Sequence, residues 1–369
     1  MSRSYRLLAS LALVLALIVV SMGAWVRLSD AGLGCPDWPG CYGQLIGVPE
    51  AAHEVTRAEA AFGKPVEAPK AWKEMIHRYA AGTLGLCILG LAVLAWRQRA
   101  RRGPWLEIVL LAVVIGQALL GMLTVTKLLK PVIVTSHLLG GMTTLAILAL
   151  LWLREHRPAR PAATSATSAG LRLLAAGALL AVLVQIALGG WVSSNYAAAI
   201  CADFPTCQGS WWPEMDTHHA FTLDRELGAT ASGALLPGAA LTAIHFTHRL
   251  FAGVVLIVVG GLGVLLCRQP LLRRHGMALL AALALQISLG IANVLLQLPL
   301  PLPTALRGSL VIGDASIEKY RVLAVAIGLV VFALLLCATL AAVARVFERE
   351  KARGRVPAAG FPRRFEVVR

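Results

Sequence analysis

The sequence predicts an all-α integral membrane protein, with eight transmembrane helices forming two four-helix bundles related by a parallel repeat. Three observations carry this. Hydrophobic residues make up 58% of the 369-residue chain and charged residues only 14%, against about 25% charged in an ordinary globular domain. Apolar runs of about 20 residues, the length that crosses a hydrocarbon core of about 30 Å, recur at roughly 7–26, 74–96, 105–126, 132–153, 171–193, 242–266, 276–297 and 322–344. The chain also repeats itself. Gly189, Trp191, Val192, Cys201, Asp203, Pro205, Cys207 and Gly209 stand 166 positions after Gly23, Trp25, Val26, Cys35, Asp37, Pro39, Cys41 and Gly43. A cysteine pair at one spacing inside a matching frame marks a duplicated unit.

The net charge of +15 is spread along the chain in a pattern that points to topology and away from nucleic acid. Short loops decide orientation. Arg97–Arg102 and Arg268–Arg274 outweigh Lys127 and Lys130, so both termini are expected in the cytoplasm of a bacterial inner membrane, with the basic loops on anionic lipid headgroups. Arg3 and Arg6 before the first run resemble the start of a signal peptide. That run is long, lacks a convincing small-residue cleavage site and has an internal twin in the fifth run, so it is expected to stay as a helix.

Taken in order, residues 1–153 make the N-terminal bundle. Its first run leads into a long outer loop, about 28–73, with Cys35, Cys41 and a polar segment from His53 to Lys70. The second run carries Glu74, His77 and Arg78 at its outer end. The third carries Gln117-x-x-x-Gly121, and the fourth starts after Pro131 with His137 near its beginning. Residues 154–170, rich in Pro, Ala, Ser and Thr, read as a flexible cytoplasmic linker. Residues 171–344 repeat the plan: an outer loop with Cys201 and Cys207, then His245, His248 and Arg249, then Gln286-x-x-x-Gly290. HRLFAG at 248–253 matches HRYAAG at 77–82. Four helices per unit is an even number, so the copies share one orientation. Residues 345–369 form a basic cytoplasmic tail.

Ionisable groups are expensive in a membrane and mark function by default. His77, His137 and His248 all fall near the outer ends of helices that run inward. Two imidazoles facing each other inside a bundle can clamp the iron of a planar haem. Arg78 and Arg249, next in sequence to two of them, offer forks that suit haem propionates. Glu74 lies one turn before His77 on the same face and can take a proton beside a bound centre. His245 holds the corresponding place in the second unit. The cysteine pairs Cys35–Cys41 and Cys201–Cys207 lie in outer loops, where disulfides persist. The two readings are a structural disulfide or thiols that handle substrate. Trp38, Trp211 and Trp212 read as interface anchors.

GLGCPDWPGCYGQ, Glu74-x-x-His77-Arg78, SHLLGG with His137, CADFPTCQGSWWP and IHFTHRLFAG with His248 resemble the haem A synthase family of cytochrome oxidase assembly, over nearly the whole chain to about Pro303. The resemblance implies oxidation of the C8 methyl of haem O, the substrate, to a formyl group. It implies that His77 and His137 hold substrate haem, that Glu74 is the catalytic carboxylate, that the first-loop cysteines assist and that His248 ligates a resident haem b. Haem O synthase, an electron acceptor and a second copy of the chain are the expected partners. The family pattern also has a histidine at the start of the eighth helix. Pairing Pro131 with Pro301 puts Arg307 there, with a charged segment at 304–321, so the second bundle either holds haem b through His248 alone or with another ligand such as His245, or has lost the cofactor. Two rival readings are a di-haem carrier of the quinol-oxidising type, which has no use for Glu74, and a parallel-repeat transporter. The transporter would show broken helices with polar groups at the midplane.

Overall fold

A computed structural model of the chain describes residues 2–100, 103–156 and 168–295, together with 336, 338, 339, 341–343 and 346. Seven long apolar helices account for most of these residues: α1 (Arg3–Leu28), α3 (Ala68–Arg97), α4 (Trp105–Thr126), α5 (Pro131–His156), α6 (Ala169–Ser194), α8 (Gly238–Cys267) and α9 (Arg273–Leu295). Each is long and apolar enough to cross a bilayer, and each is continuous from end to end. The chain is therefore an integral membrane protein. Broken helices, the mark of the transporter reading, are not found among the described residues. Most of the linker, the 304–321 segment with Arg307, most of the eighth run and nearly all of the basic tail lie outside the described residues.

The helix starts follow from local chemistry. Ser2 and Ser168 are N-caps whose hydroxyls accept from the backbone N–H of Tyr5 and Leu171, both at 3.2 Å, and so satisfy a donor the helix leaves unpaired. Proline, pre-set for the helical φ and lacking the N–H that would be orphaned, sits in the first turn of α3 and opens α5. α3 and α8 begin farther out than their apolar runs imply, at Ala68 and Gly238. The first turn of α3 carries Lys70, outside its apolar run, while that of α8 is Gly238-Ala239-Ala240-Leu241.

Small residues let the helices approach closely. Tyr5, Ala9, Ala12 and Ala16 form the buried stripe of α1, and Leu171, Ala175, Ala178 and Val182 the equivalent stripe of α6. The opposite face of α1 shows Leu7, Leu11, Val14 and Ile18 outward. In lipid there is no penalty for exposed leucine, and packing of small side chains drives association. α1, α3, α4 and α5 pack around one another in a ring. α5 also meets α6, which packs on α8, and α8 on α9.

The junction between the halves joins residues one repeat apart. An Nη2 of Arg27 donates to the Ser193 carbonyl at 2.7 Å, and the Tyr196 hydroxyl lies 3.4 Å from an Asp30 carboxylate oxygen. The Arg27 guanidinium also lies over the Tyr196 ring, 3.9 Å from its centre.

The first outer loop holds more structure than the sequence reading gave it. Its polar segment contains a helix, α2 (Ala52–Phe62). Glu54 reaches back to the N–H groups of Glu50 and Ala51, both at 3.2 Å, and Gly63 ends the helix at φ 63°. Alanine and glutamate favour helix, a signal hidden under the segment's overall polarity. Phe62 then sets its edge against Tyr42, with ring centres 5.6 Å apart. The second outer loop has a short helix, α7 (Thr217–Ala220), whose last carbonyl accepts from Trp191 Nε1 at 2.8 Å.

α8 and α9 meet at two glycines. A Cβ on Gly276 would fall 2.6 Å from the Gly263 carbonyl oxygen and 2.7 Å from the Cys267 nitrogen. Both are backbone atoms, so the helices would have to part. Gly276→Ala is expected to destabilise the fold by about 1–3 kcal/mol. Gly82→Ala, which meets nothing within 4 Å, is expected to hold or raise the thermal midpoint. Equal midpoints for the two variants in detergent would contradict this packing.

Candidate functional site

Both cysteine pairs are disulfides, Cys35–Cys41 with an S–S distance of 2.05 Å and Cys201–Cys207 with 1.96 Å. Each loop is built the same way around an aspartate. Asp37 accepts from the N–H of Tyr42 at 2.6 Å and of Gly43 at 2.8 Å. Asp203 accepts from the N–H of Gln208 at 2.7 Å and of Gly209 at 2.9 Å. These bonds hold a turn that needs positive φ at both positions, 51° and 78° in the first loop and 55° and 74° in the second. Glycine takes that conformation freely, and Tyr42 and Gln208 take it at some cost. The Thr206 hydroxyl and the two N–H groups hold the Asp203 carboxyl down at about 2.

An arginine clamps each loop to its helix. Arg78 Nη1, from α3, donates to the carbonyls of Asp37 at 2.9 Å, Pro39 at 3.2 Å and Gly40. Arg249, from α8, donates to the carbonyls of Asp203 at 2.8 Å, Thr206 at 2.9 Å and Cys201 at 2.7 Å. The forks expected at propionates are thus committed largely to loop carbonyls. Only a planar guanidinium presents several donors in this way.

One turn before each arginine the units diverge. Glu74, 5% exposed, accepts from Arg78 Nη2 at 2.5 Å with one oxygen and from the Cys35 N–H at 3.0 Å with the other. In the second unit His245, also 5% exposed, places Nδ1 at 2.9 Å from the Ala197 carbonyl, and its Nε2 accepts from Arg249 Nε at 3.1 Å. That pattern fixes a neutral ring with the proton on Nδ1. Both nitrogens of His245, the candidate second iron ligand, are thus engaged in hydrogen bonds in the structure.

His77 and His137 are the converse case. Both rings are interior to the bundle, and Nδ1 of each is buried without a hydrogen-bond partner. The two lie within electrostatic reach of each other. Each is backed by a glycine: a Cβ on Gly23 of α1 would sit 3.0 Å from His77 Cε1, and one on Gly121 of α4 would sit 3.4 Å from His137 Cε1. Beside His137, Gln117 packs so closely on α5 that a Cβ on Gly140 would overlap its amide. α3 and α5 run in the same direction, so both histidines lie toward the end that carries the disulfide loops. Buried polar groups are normally paired; here each ring leaves one buried nitrogen, Nδ1, unpartnered, and two such imidazoles in one helix bundle fit an iron macrocycle that takes axial nitrogen ligands. No three His, Cys, Asp or Glu side chains converge to hold a bare ion among the described residues.

His248 has the same glycine backing, with a Cβ on Gly189 reaching 3.2 Å from its Cε1. It also has a neighbour that the sequence reading missed. Gln185 of α6, 5% exposed, places Nε2 at 3.3 and 3.4 Å from the two ring nitrogens and 3.2 Å from the His248 carbonyl, and its Oε1 is unpartnered. Its counterpart in the first unit is Val19, beside His77. The available signal was a glutamine in the middle of an apolar run, where a polar group needs a reason.

The clamp can be tested directly. Arg78→Lys keeps the charge and loses the fork. The Cys35–Cys41 bond is expected to become roughly tenfold faster to reduce, the scale of losing hydrogen bonds to a charged group. Cys201–Cys207 should keep its wild-type rate. Alkylation and mass spectrometry after timed reduction would follow both bonds, and unchanged reduction at Cys35–Cys41 would remove the clamp.

The chain matches the model of a family described as cytochrome oxidase assembly protein over residues 6–306. It is 41% identical to the Heme A synthase of Shewanella oneidensis over 304 residues, which is 82% of this chain and 91% of that one. It is 26% identical to the Heme A synthase of Shouchella clausii over 76% of this chain and 88% of that one. Against the Heme A synthase of Halalkalibacterium halodurans the identity is also 26%, over 58% of this chain and 68% of the relative.

Proposed function

The chain belongs to the family of cytochrome oxidase assembly proteins, and from that membership we propose that it is a haem A synthase. It is an integral membrane oxidoreductase that acts on haem O in making haem A for cytochrome oxidase. The observation that carries the site assignment is the pair His77 and His137, two buried imidazoles with unpartnered Nδ1 atoms, each backed by glycine. These two residues hold substrate haem in the bundle of α1, α3, α4 and α5.

The proposed reaction converts the C8 methyl of haem O to a formyl group. Two successive hydroxylations followed by loss of water give the aldehyde. In overall balance the methyl carbon loses two of its three hydrogens and gains one oxygen; with water as the oxygen source, R–CH3 + H2O gives R–CHO with four protons and four electrons, so an electron acceptor is required. Glu74 takes a proton or steadies positive charge at its carboxylate. Its position supports this: buried, one turn from His77, and held by Arg78 and the Cys35 N–H so that it cannot swing away. The disulfide loop covers that end of the bundle and restricts water there.

His248 is the residue we assign to a resident haem b in the second unit, with Gln185 setting the orientation of its ring. When bound, haem b would supply one-electron redox chemistry. Eight helices in two bundles of parallel repeat, residues 1–153 and 171–344, complete the proposed architecture. The alternation of basic loops supports cytoplasmic termini in a bacterial inner membrane. Haem O synthase upstream and a second copy of the chain are the partners that fit.

The deciding experiment uses protein purified from cells that supply haem O, with the haem extracted and weighed. Wild type is expected to yield haem A. Glu74→Gln is expected to keep bound haem and lose conversion by about 10²–10⁴-fold, the range for removing a positioned proton carrier. His77→Ala should lose substrate haem while keeping its helix content. Haem A absent from wild type would overturn the enzyme assignment and leave the di-haem carrier. Full conversion by Glu74→Gln would overturn the role of that carboxylate.

A further inference from the structure

At the opposite end of the bundle from the disulfide loops, the start of α1 and the end of α5 line an open cavity of about 250 Å³, formed by the exposed Arg3, Arg6, Leu7 and His156 with the half-buried Ser10. Residues 3, 6, 7 and 10 share one face of α1. The α5 wall is fixed in place. Trp152 Nε1 donates to Ser10 Oγ at 3.1 Å, and the His156 ring stacks on Trp152 with centres 4.6 Å apart and planes 20° apart. His156 Nδ1 is taken up by the Trp152 carbonyl at 3.0 Å, which leaves Nε2 for a ligand. Neither Arg3 nor Arg6 has a carboxylate partner among the described residues. Two unpaired guanidinia and an imidazole around one cavity form a site for a single anionic group with several acceptor oxygens.

The neighbouring surface narrows the ligand. From Leu7, at the rim, an exposed apolar stripe runs down α1 through Leu11, Val14 and Ile18, with exposures of 63%, 57%, 54% and 47%. In a membrane-spanning helix that face meets acyl chains. A free phosphate would use the basic rim and leave the stripe unused. A zwitterionic choline headgroup would bring a cation against two guanidinia. We propose that this cavity binds the phosphodiester headgroup of an anionic phospholipid, with one of its acyl chains lying along the Leu7–Ile18 stripe. A lipid held here packs against α1 and α5 together and so stabilises the ring of four helices from the end far from the loops.

The test uses the full chain in mixed vesicles of phosphatidylglycerol and phosphatidylcholine. Retained lipid is counted by native mass spectrometry and stability read from the thermal midpoint. Wild type should retain phosphatidylglycerol in preference to phosphatidylcholine and gain stability as its fraction rises. Arg3→Gln/Arg6→Gln should lose about tenfold or more of that preference, the scale of removing two basic contacts at a lipid surface, and keep the wild-type midpoint in pure phosphatidylcholine. Arg97→Gln/Arg99→Gln, which removes equal charge at the same end of the bundle and outside the cavity, should keep the preference. Equal loss in both double variants would mean general surface charge and overturn the site. Inorganic phosphate reproducing the full stability gain would overturn the lipid. If the first double variant is less stable in pure phosphatidylcholine, Leu7→Asp, which interrupts the stripe at the rim, decides: retained preference overturns the proposal.

Discussion

A guanidinium at the outer end of an inward-running helix closes each disulfide loop onto its bundle, and the rest of the outer architecture depends on that contact. Arg78 gathers the carbonyls of Asp37, Pro39 and Gly40, and Arg249 those of Asp203, Thr206 and Cys201. A disulfide alone makes a small ring that can still swing on its two stems. The arginine fixes the ring's position over the helix end, and the aspartate inside each loop fixes its turn. Carbonyls that would otherwise stay hydrated are met by a charge, which is why a loop of this kind can lie against an apolar bundle.

The partner of that arginine one turn earlier decides what each unit can do. In the first it is a carboxylate, Glu74. Its charge is compensated by Arg78 and its second oxygen by the Cys35 N–H. In the second it is a neutral imidazole, His245, with both nitrogens engaged. The two positions keep the same clamp and differ in chemistry: only the first has an acidic group one turn from a histidine whose Nδ1 has no hydrogen-bond partner. A duplicated scaffold can diverge in this way because the loop contact tolerates either a charged or a neutral partner, while a proton carrier requires the acid.

The histidine pair and the glycines behind it show the same economy. Gly23 and Gly189 leave room for His77 and His248 where any Cβ would press on the ring. The first unit offers His77 only the backbone around Val19, and Nδ1 stays unpartnered. The second offers His248 the amide of Gln185. The two histidines, set on one backbone plan, therefore differ in how firmly the imidazole is held.

Much of this was legible in the residues. The spacing of Cys35–Cys41 and Cys201–Cys207 exposed the duplication, the apolar runs placed seven described helices to within a turn or two, and the polar residues at helix ends marked Glu74, His77, His137 and His248. These follow from period, length and the rarity of charge in lipid, which are properties of the chain read in one dimension. The α2 helix was lost under polar composition, and Gln185 was lost inside an apolar run. The work of Arg78 and Arg249 and the engagement of both His245 nitrogens were decided only in three dimensions. A hydrogen bond depends on which distant atoms a fold brings within 3 Å, and sequence spacing fixes that along one helix but not between a helix and the loop that lands on it.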